Sequence, residues 1–264
     1  MVTWERIAPV STEAHEYDPF LLADGRTLLY TSYGDWGHSD ILAATRATPS
    51  DSFIPIPHDG FFGLNTADNE HRAELSGDGL RAYFESARGG PKTDVFFAER
   101  DVIDGIFGDA LPLISGPDHD HDPHISDDEL ALYYAPQVDG GQQDIWWTTR
   151  LSVRDPFPPA TILANVNDPE AYDSNPSLSR DGLILVFASS RAGIRDVFVS
   201  RRASPVESFS TPVPAPDPIN DPFALDGDPF IADDHDVCEL FWFSERRGGA
   251  GGADLYRAEL TPMP

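Results

Sequence analysis

The feature that most restricts this chain is an internal repeat. Five segments align in phase: EYDPFLLADGRTLLYTS from Glu16, EHRAELSGDGLRAYFES from Glu70, DHDPHISDDELALYYAP from Asp120, DSNPSLSRDGLILVFAS from Asp173, and DGDPFIADD followed by LFWFS from Asp226. Each leads into a glycine-rich stretch and then an aspartate that opens an apolar run, at Asp40, Asp94, Asp144, Asp196 and Asp254, spaced 54, 50, 52 and 58 residues apart. A unit of this size cannot bury its own apolar face, so five copies in phase must pack against one another.

Within a unit the apolar runs are short, rich in aromatic and β-branched residues, and bounded by turn residues, which predicts strands rather than helices. In the second unit these are strand A at 73–76, a hairpin turn at Asp78-Gly79, strand B at 80–86, strand C at 94–100 and strand D near 110–114. Four antiparallel strands per unit, repeated around an axis, predict an all-β fold: a single five-bladed β-propeller spanning residues 1–264, with strand A starting near 19, 73, 123, 176 and 229. The last unit ends at Leu260 with no D strand after it, whereas Trp4–Val10 resembles the D-strand segments near Phe53, Phe157 and Phe209. Residues 3–10 are therefore expected to complete the fifth blade and close the ring, which removes an aggregation-prone edge.

The order Pro, Leu-Ser, Asp-Gly, aromatic-Ser with Arg and Gly, then Asp-Val-aromatic is clearest in Pro176–Val199 and recurs in all five units. It resembles the TolB-type, WD-repeat-like propeller family. The resemblance implies the propeller fold. It leaves function open, because that repeat occurs in envelope binding proteins, in peptidase gating domains and in some polysaccharide lyases. It also implies a periplasmic or secreted setting, although Met1–Val10 has no signal-peptide pattern.

Charge narrows the partners. Forty-five acidic residues against 18 basic ones give a net −27, which argues against nucleic acid or an anionic membrane as the partner. There is no apolar run near 18 residues, so no membrane insertion is expected. A protein, peptide or glycan partner and a monomeric state are. The single Cys238 reads as structural or incidental.

Strand A of a propeller is innermost, so residues just before it ring the mouth of the channel. Three positions before the Pro or Ala at the strand start stand Glu16, Glu70, Asp120, Asp173 and Asp226. One position before it stand Asp18, Arg72, Asp122, Asn175 and Asp228. Converging carboxylates repel unless solvated, protonated or neutralised by a cation. This predicts a site, most simply for Ca²⁺, drawn from Glu16, Asp18, Glu70, Asp120, Asp122, Asp173, Asp226 and Asp228, with His15, His71, His119 and His121 available for Mn²⁺ or Zn²⁺. The alternative is that these side chains splay into solvent or bond backbone N–H groups. The Asp118, Asp120, Asp122 spacing mimics a calcium loop, but Pro123 stands where that loop needs Gly.

The D–A and B–C loops share one face, so ligand contacts are expected from Trp36, His38, Arg88, Arg191 and Arg246. Arg88, Arg191 and Arg246 hold equivalent places and could instead pair with the acids. The leading expectation is a non-catalytic binding module with an acidic mouth. The rival is a metal-assisted polysaccharide lyase or glycoside hydrolase working at the axis, since five-bladed propellers also house glycosidases that use converging acids.

Overall fold

The structure is a computed structural model that describes residues 3–34, 37–57, 62–138, 141–234 and 237–260. Each unit folds as a four-stranded antiparallel sheet. The first blade is β2 (Glu16–Leu21), β3 (Thr27–Tyr33), β4 (Ser39–Thr45) and β5 (Ile54–Pro55); the second is β6 (Glu70–Leu75), β7 (Arg81–Ser86), β8 (Asp94–Glu99) and β9 (Leu111–Ile114). The third runs β10 (His119–Ile125), β11 (Ala131–Gln137), β12 (Trp146–Thr149), β13 (Thr161–Ile162), and the fourth β14 (Asp173–Leu178), β15 (Ile184–Ser189), β16 (Asp196–Arg201), β17 (Val213–Pro214). The fifth is β18 (Asp226–Asp234), β19 (Val237–Ser244) and β20 (Asp254–Leu260), completed by β1 (Thr3–Arg6). The fold is thus the five-bladed propeller that the repeat predicts. Among the described residues no helix is long and apolar enough to cross a membrane.

The ring closes where the sequence places it. β1 pairs antiparallel with β20 from Thr3 opposite Glu259 to Arg6 opposite Tyr256. Beyond it Ile7 donates its N–H to the Leu255 carbonyl at 2.8 Å, and Ile7 and Val10 turn into the core.

Strand B shows why the blades need one another. β3, β7 and β15 are buried at five successive positions, so both of their faces are covered rather than one. Consecutive residues serve opposite interfaces: Leu28 packs toward the fifth blade with Phe230, Phe241 and Phe243, and Leu29 packs toward the second with Ala82, Phe84 and Phe96. The apolar clusters lie between blades, which is why no single repeat is a folding unit.

Two polar devices recur that the sequence reading did not anticipate. Arg46, Arg100, Arg150 and Arg202, at or just past the end of strand C, each donate Nε–H to the carbonyl of the A–B hairpin residue at positive φ: Gly25, Gly79, Glu129 and Gly182. Each guanidinium also covers a phenylalanine of its own blade, Phe53, Phe107, Phe157 or Phe209, at 4.3–4.7 Å. Asn65, Asn167 and Asn220 each exchange two hydrogen bonds with the backbone of one residue in or just before strand C, Ile41, Ile145 and Val197. An amide side chain there takes the place of a strand partner.

Candidate functional site

Strand A begins three or four residues earlier than expected, at Glu16, Glu70, His119, Asp173 and Asp226. The reason is a bulge. In every blade the A–B register slips over the same two residues, as between Tyr17 and Phe20 or between His121 and His124. The residue before the Pro or Ala takes a left-handed backbone: Asp18 (φ 52°), Arg72 (43°), Asp122 (57°), Asn175 (53°) and Asp228 (47°). A following proline disfavours the ordinary helical region, and Asp and Asn tolerate the left-handed one. Arg72 lacks that tolerance, so its place in the ring carries strain of about 1–3 kcal/mol.

These five side chains meet at the axis. Asn175 Nδ2 donates to Asp122 Oδ1 at 2.7 Å, and Arg195 Nη2 donates to Asp228 Oδ1 at 2.9 Å and also to Asn175 Oδ1. The Asp18 N–H points to Asp228 Oδ2 at 3.4 Å. Arg72 crosses beneath, donating to the carbonyls of Pro176 (2.7 Å) and Pro123 (3.3 Å), with Nη1 3.9 Å from Asp18. His121 Nδ1 lies 2.8 Å from Glu85 Oε1, whose other oxygen accepts the Asp122 N–H, and His71 Nδ1 lies 3.8 Å from Asp18. Above this ring opens a cavity of about 250 Å³ that Tyr17 and Tyr33 also border.

Asp18, Glu85, Asp122 and Asp228 are thus matched by Arg72, Arg195, His71 and His121. Burial alone would lower both histidines, but the bond to Asp18 raises His71, and the charge and bond of Glu85 raise His121, each to about 9. Conversely, burial would raise Asp18 and Glu85, yet His71 with Arg72, and His121 with His71, hold them below their usual range. Asp228 is pushed up to about 7, first by burial, against the pull of Arg195. Burial and the neighbouring Glu85 raise Asp122 as well.

The five carboxylates expected at the mouth do not line it. They are buried one layer outward, where four of them tie loops to strands. Glu16 accepts from Thr12, Glu70 from Thr66 and Ser86, Asp173 from the Asp168 N–H at 2.6 Å, and Asp226 from the Asp221 N–H at 2.6 Å. Asp120 is buried beside Asp94, and burial followed by that charge raises it to about 6. Arg191 and Arg246 pair with Asp173 (2.6 Å) and Asp226 (2.9 Å), and Arg88 approaches Glu70 at 3.4 Å. All three also lie over aromatic rings of their own blades, Phe84, Phe187 and Trp242 among them. Their guanidinium donors are engaged within the blades, and the ligand role expected of them has no support in this geometry.

His15 and His119 occupy equivalent places and accept, on Nδ1, the backbone N–H of Ala253 and Thr93 from the preceding blade, both at 3.2 Å. His38 sits 3.6 Å from Asp40 in the B–C loop. Trp36 lies outside the described residues. Among the described residues no group of three or more His, Cys, Asp or Glu side chains is arranged to hold a metal ion. Around Glu16, Glu70, Asp173 and Asp226 the repulsion that motivated a cation is met by arginines, hydroxyls and backbone N–H groups, whereas Asp120 Oδ2 is buried with no hydrogen-bond partner among the described residues.

Sequence reasoning missed Glu85 and Arg195. Both were readable as breaks in the repeat: Glu85 stands where other units have Thr31, Ala135, Ala188 and Phe243, and Arg195 where they have Ser39, Thr93, Gln143 and Ala253.

No family model matches the chain, and no curated protein sequence matches it. Solved structures do. The chain is similar to a thermostable family-43 glycoside hydrolase (TM-score 0.66, 10% identity, 97% of this chain over 92% of that one). It is similar to an endo-arabinase from Bacteroides thetaiotaomicron (TM-score 0.62, 13% identity, 98% over 98%) and to TolB from Acinetobacter baumannii (TM-score 0.50, 13% identity, 94% over 55%). At these identities the likeness establishes the propeller fold, and it does not single out the TolB type.

Proposed function

We propose that the chain is a non-catalytic binding module whose upper axial cavity receives one unit of a neutral glycan. The observation that carries this reading is the closed pairing of the mouth: Asp18 with His71 and Arg72, Glu85 with His121, Asp122 with Asn175, and Asp228 with Arg195. Such a ring is near neutral in total charge, offers fixed donors and acceptors side by side, and is flanked by Tyr17 and Tyr33. Hydroxyl groups suit that pattern better than a charged ligand. A cavity of about 250 Å³ lies just under the roughly 300–1,000 Å³ of drug-sized sites, so it admits a single residue of a longer chain. The structural neighbours named for glycoside and arabinan cleavage support a sugar, and the repeat's resemblance to envelope binding proteins supports a periplasmic or secreted setting.

Calorimetry with neutral oligosaccharides tests the reading. Saturable binding that weakens at least tenfold in Asp122→Ala and Tyr33→Ala, with no new reducing ends, supports it. Absence of binding to any neutral glycan overturns it.

One observation favours a hydrolase instead. Asp228 is held near 7 while the adjacent Asp18 stays ionised, and glycosidic cleavage needs two carboxyl groups in different protonation states. New reducing ends that disappear in Asp228→Asn would replace the binding reading with this one.

A further inference from the structure

Strand A runs from the polar mouth to a second and larger cavity at the other end of the axis, about 590 Å³ in volume. Leu21, Leu75, Ile125, Leu178 and Ile231 hold the same place in the five repeats, and all five border it. Trp147 and Tyr133 add aromatic surface from the third blade. Toward the upper mouth stand His124 and Glu74. His124 Nε2 accepts the Leu178 N–H at 3.1 Å, so its proton lies on Nδ1 and goes to Glu74 Oε1 at 3.1 Å, while Glu74 Oε2 accepts the Ile125 N–H. The polar groups there are already partnered, and water in this space gains little that an apolar guest would forfeit.

The rim has the opposite character. The A–B hairpins bring Asp127, Asp128, Asp181 and Asp233 to the opening against Arg180 and Arg202. Arg202 is turned to the Gly182 carbonyl and covers Phe209. Arg180 bridges to Asp127 at 3.1 Å, and its backbone N–H donates to Asp233. Two negative charges remain in excess, and Asp181 sits close enough to Asp233 to reinforce the upward shift that burial gives it. A net charge of −27 extends the same field outward.

We propose that this lower cavity binds a small cationic amphiphile, its apolar body inserted among the five equivalent aliphatic side chains and its positive end held at the acidic rim. The volume lies within the range of pockets that enclose small ligands. The proposal does not depend on the glycan reading, which concerns the other end of the axis.

The test compares n-octylamine, 1-octanol and octanoate by titration calorimetry against the full chain. The amine is expected to bind at one site about tenfold tighter than the alcohol, a ratio that corresponds to roughly 1.4 kcal/mol, with octanoate weakest. The margin should shrink in 0.5 M salt and in Asp233→Asn. Leu178→Trp fills the cavity and should abolish binding of all three. If that variant fails to fold, Leu22→Trp at the half-buried rim makes the same test, and in either variant an unchanged far-ultraviolet circular dichroism spectrum and a cooperative melt show that the propeller is intact. Octylamine giving no saturable heat, octanoate binding as tightly as the amine, or a folded tryptophan variant binding unchanged would each overturn the proposal.

Discussion

Arg46, just past the end of β4, reaches Glu239 on β19 through two parallel bonds, Nη1 to Oε1 at 3.0 Å and Nη2 to Oε2 at 2.6 Å. The pair is buried and joins the first blade to the last, so it reinforces at the bottom of the seam what β1 accomplishes at its outer edge. Breaking a buried ion pair leaves one charge uncompensated at a cost of about 3–5 kcal/mol, whereas replacing both partners by apolar groups is often neutral. Glu239 also has Arg257 Nη1 at 3.5 Å, so Arg46→Ala is expected to lose stability at the lower end of that range, about 3 kcal/mol, in urea unfolding. Arg46→Met with Glu239→Leu should recover most of it.

Removing residues 1–10 takes away the fourth strand of the fifth blade together with the buried Ile7 and Val10. The truncated chain should melt lower and less cooperatively, and β20 should become an open edge that promotes association. Differential scanning calorimetry and light scattering check this, and an unchanged transition would contradict the closure.

Arg72 is the central cation of the ring, buried and bonded to two carbonyls contributed by the third and fourth blades. Arg72→Met should cost about 3–5 kcal/mol, because Asp18, Asp122 and Asp228 lose their common counter-charge. Arg72→Lys should be intermediate, since a single ammonium cannot reproduce the fork that spans Pro123 and Pro176. Equilibrium unfolding of the two variants distinguishes these outcomes.

The pH dependence follows from the same residues. His71 and His121 have folded pKa values near 9 against an ordinary 6.5, so their contribution is complete below about pH 6.5 and is lost as pH rises through 9. Glu16 and Asp228 are raised to about 7 and Asp120 to about 6, so the native chain holds protons the unfolded chain has released, and stability again falls as pH rises from about 4 to 7. Asp18 and Glu85 are lowered and act in the other direction, losing their contribution only as pH falls below about 4. The melting temperature should peak at about pH 4 and decline toward 9.5. His121→Gln should flatten the upper limb and Asp228→Asn the lower one.

Because the ring is neutralised from within, added Ca²⁺, Mn²⁺ or Zn²⁺ should leave the melting temperature flat, whereas an ion bound only by the native state would raise it with concentration. A concentration-dependent rise would restore the cation site expected from the converging acids.

The recurrence of Asp40, Asp94, Asp144, Asp196 and Asp254, and of a proline or alanine at the same place in each strand A, was enough to read the propeller, its five blades and its closure. Those features are periodic, and a ring of identical packing problems has one architecture as its answer. The site was only half legible. The sequence brought Asp18, Arg72, Asp122, Asn175 and Asp228 together, because position in the repeat fixes distance from the axis. It also brought in Glu16, Glu70, Asp120, Asp173 and Asp226 wrongly, because a bulge two residues long decides which of two acidic positions faces the channel, and only backbone geometry shows it. The pairing of Glu85 with His121 and of Arg195 with Asp228, and hence which carboxyl keeps its proton, depends on side chains that converge from different blades. Repetition determines the scaffold from sequence alone. Departures from repetition determine the site, and their partners are set by distances that only the closed ring creates.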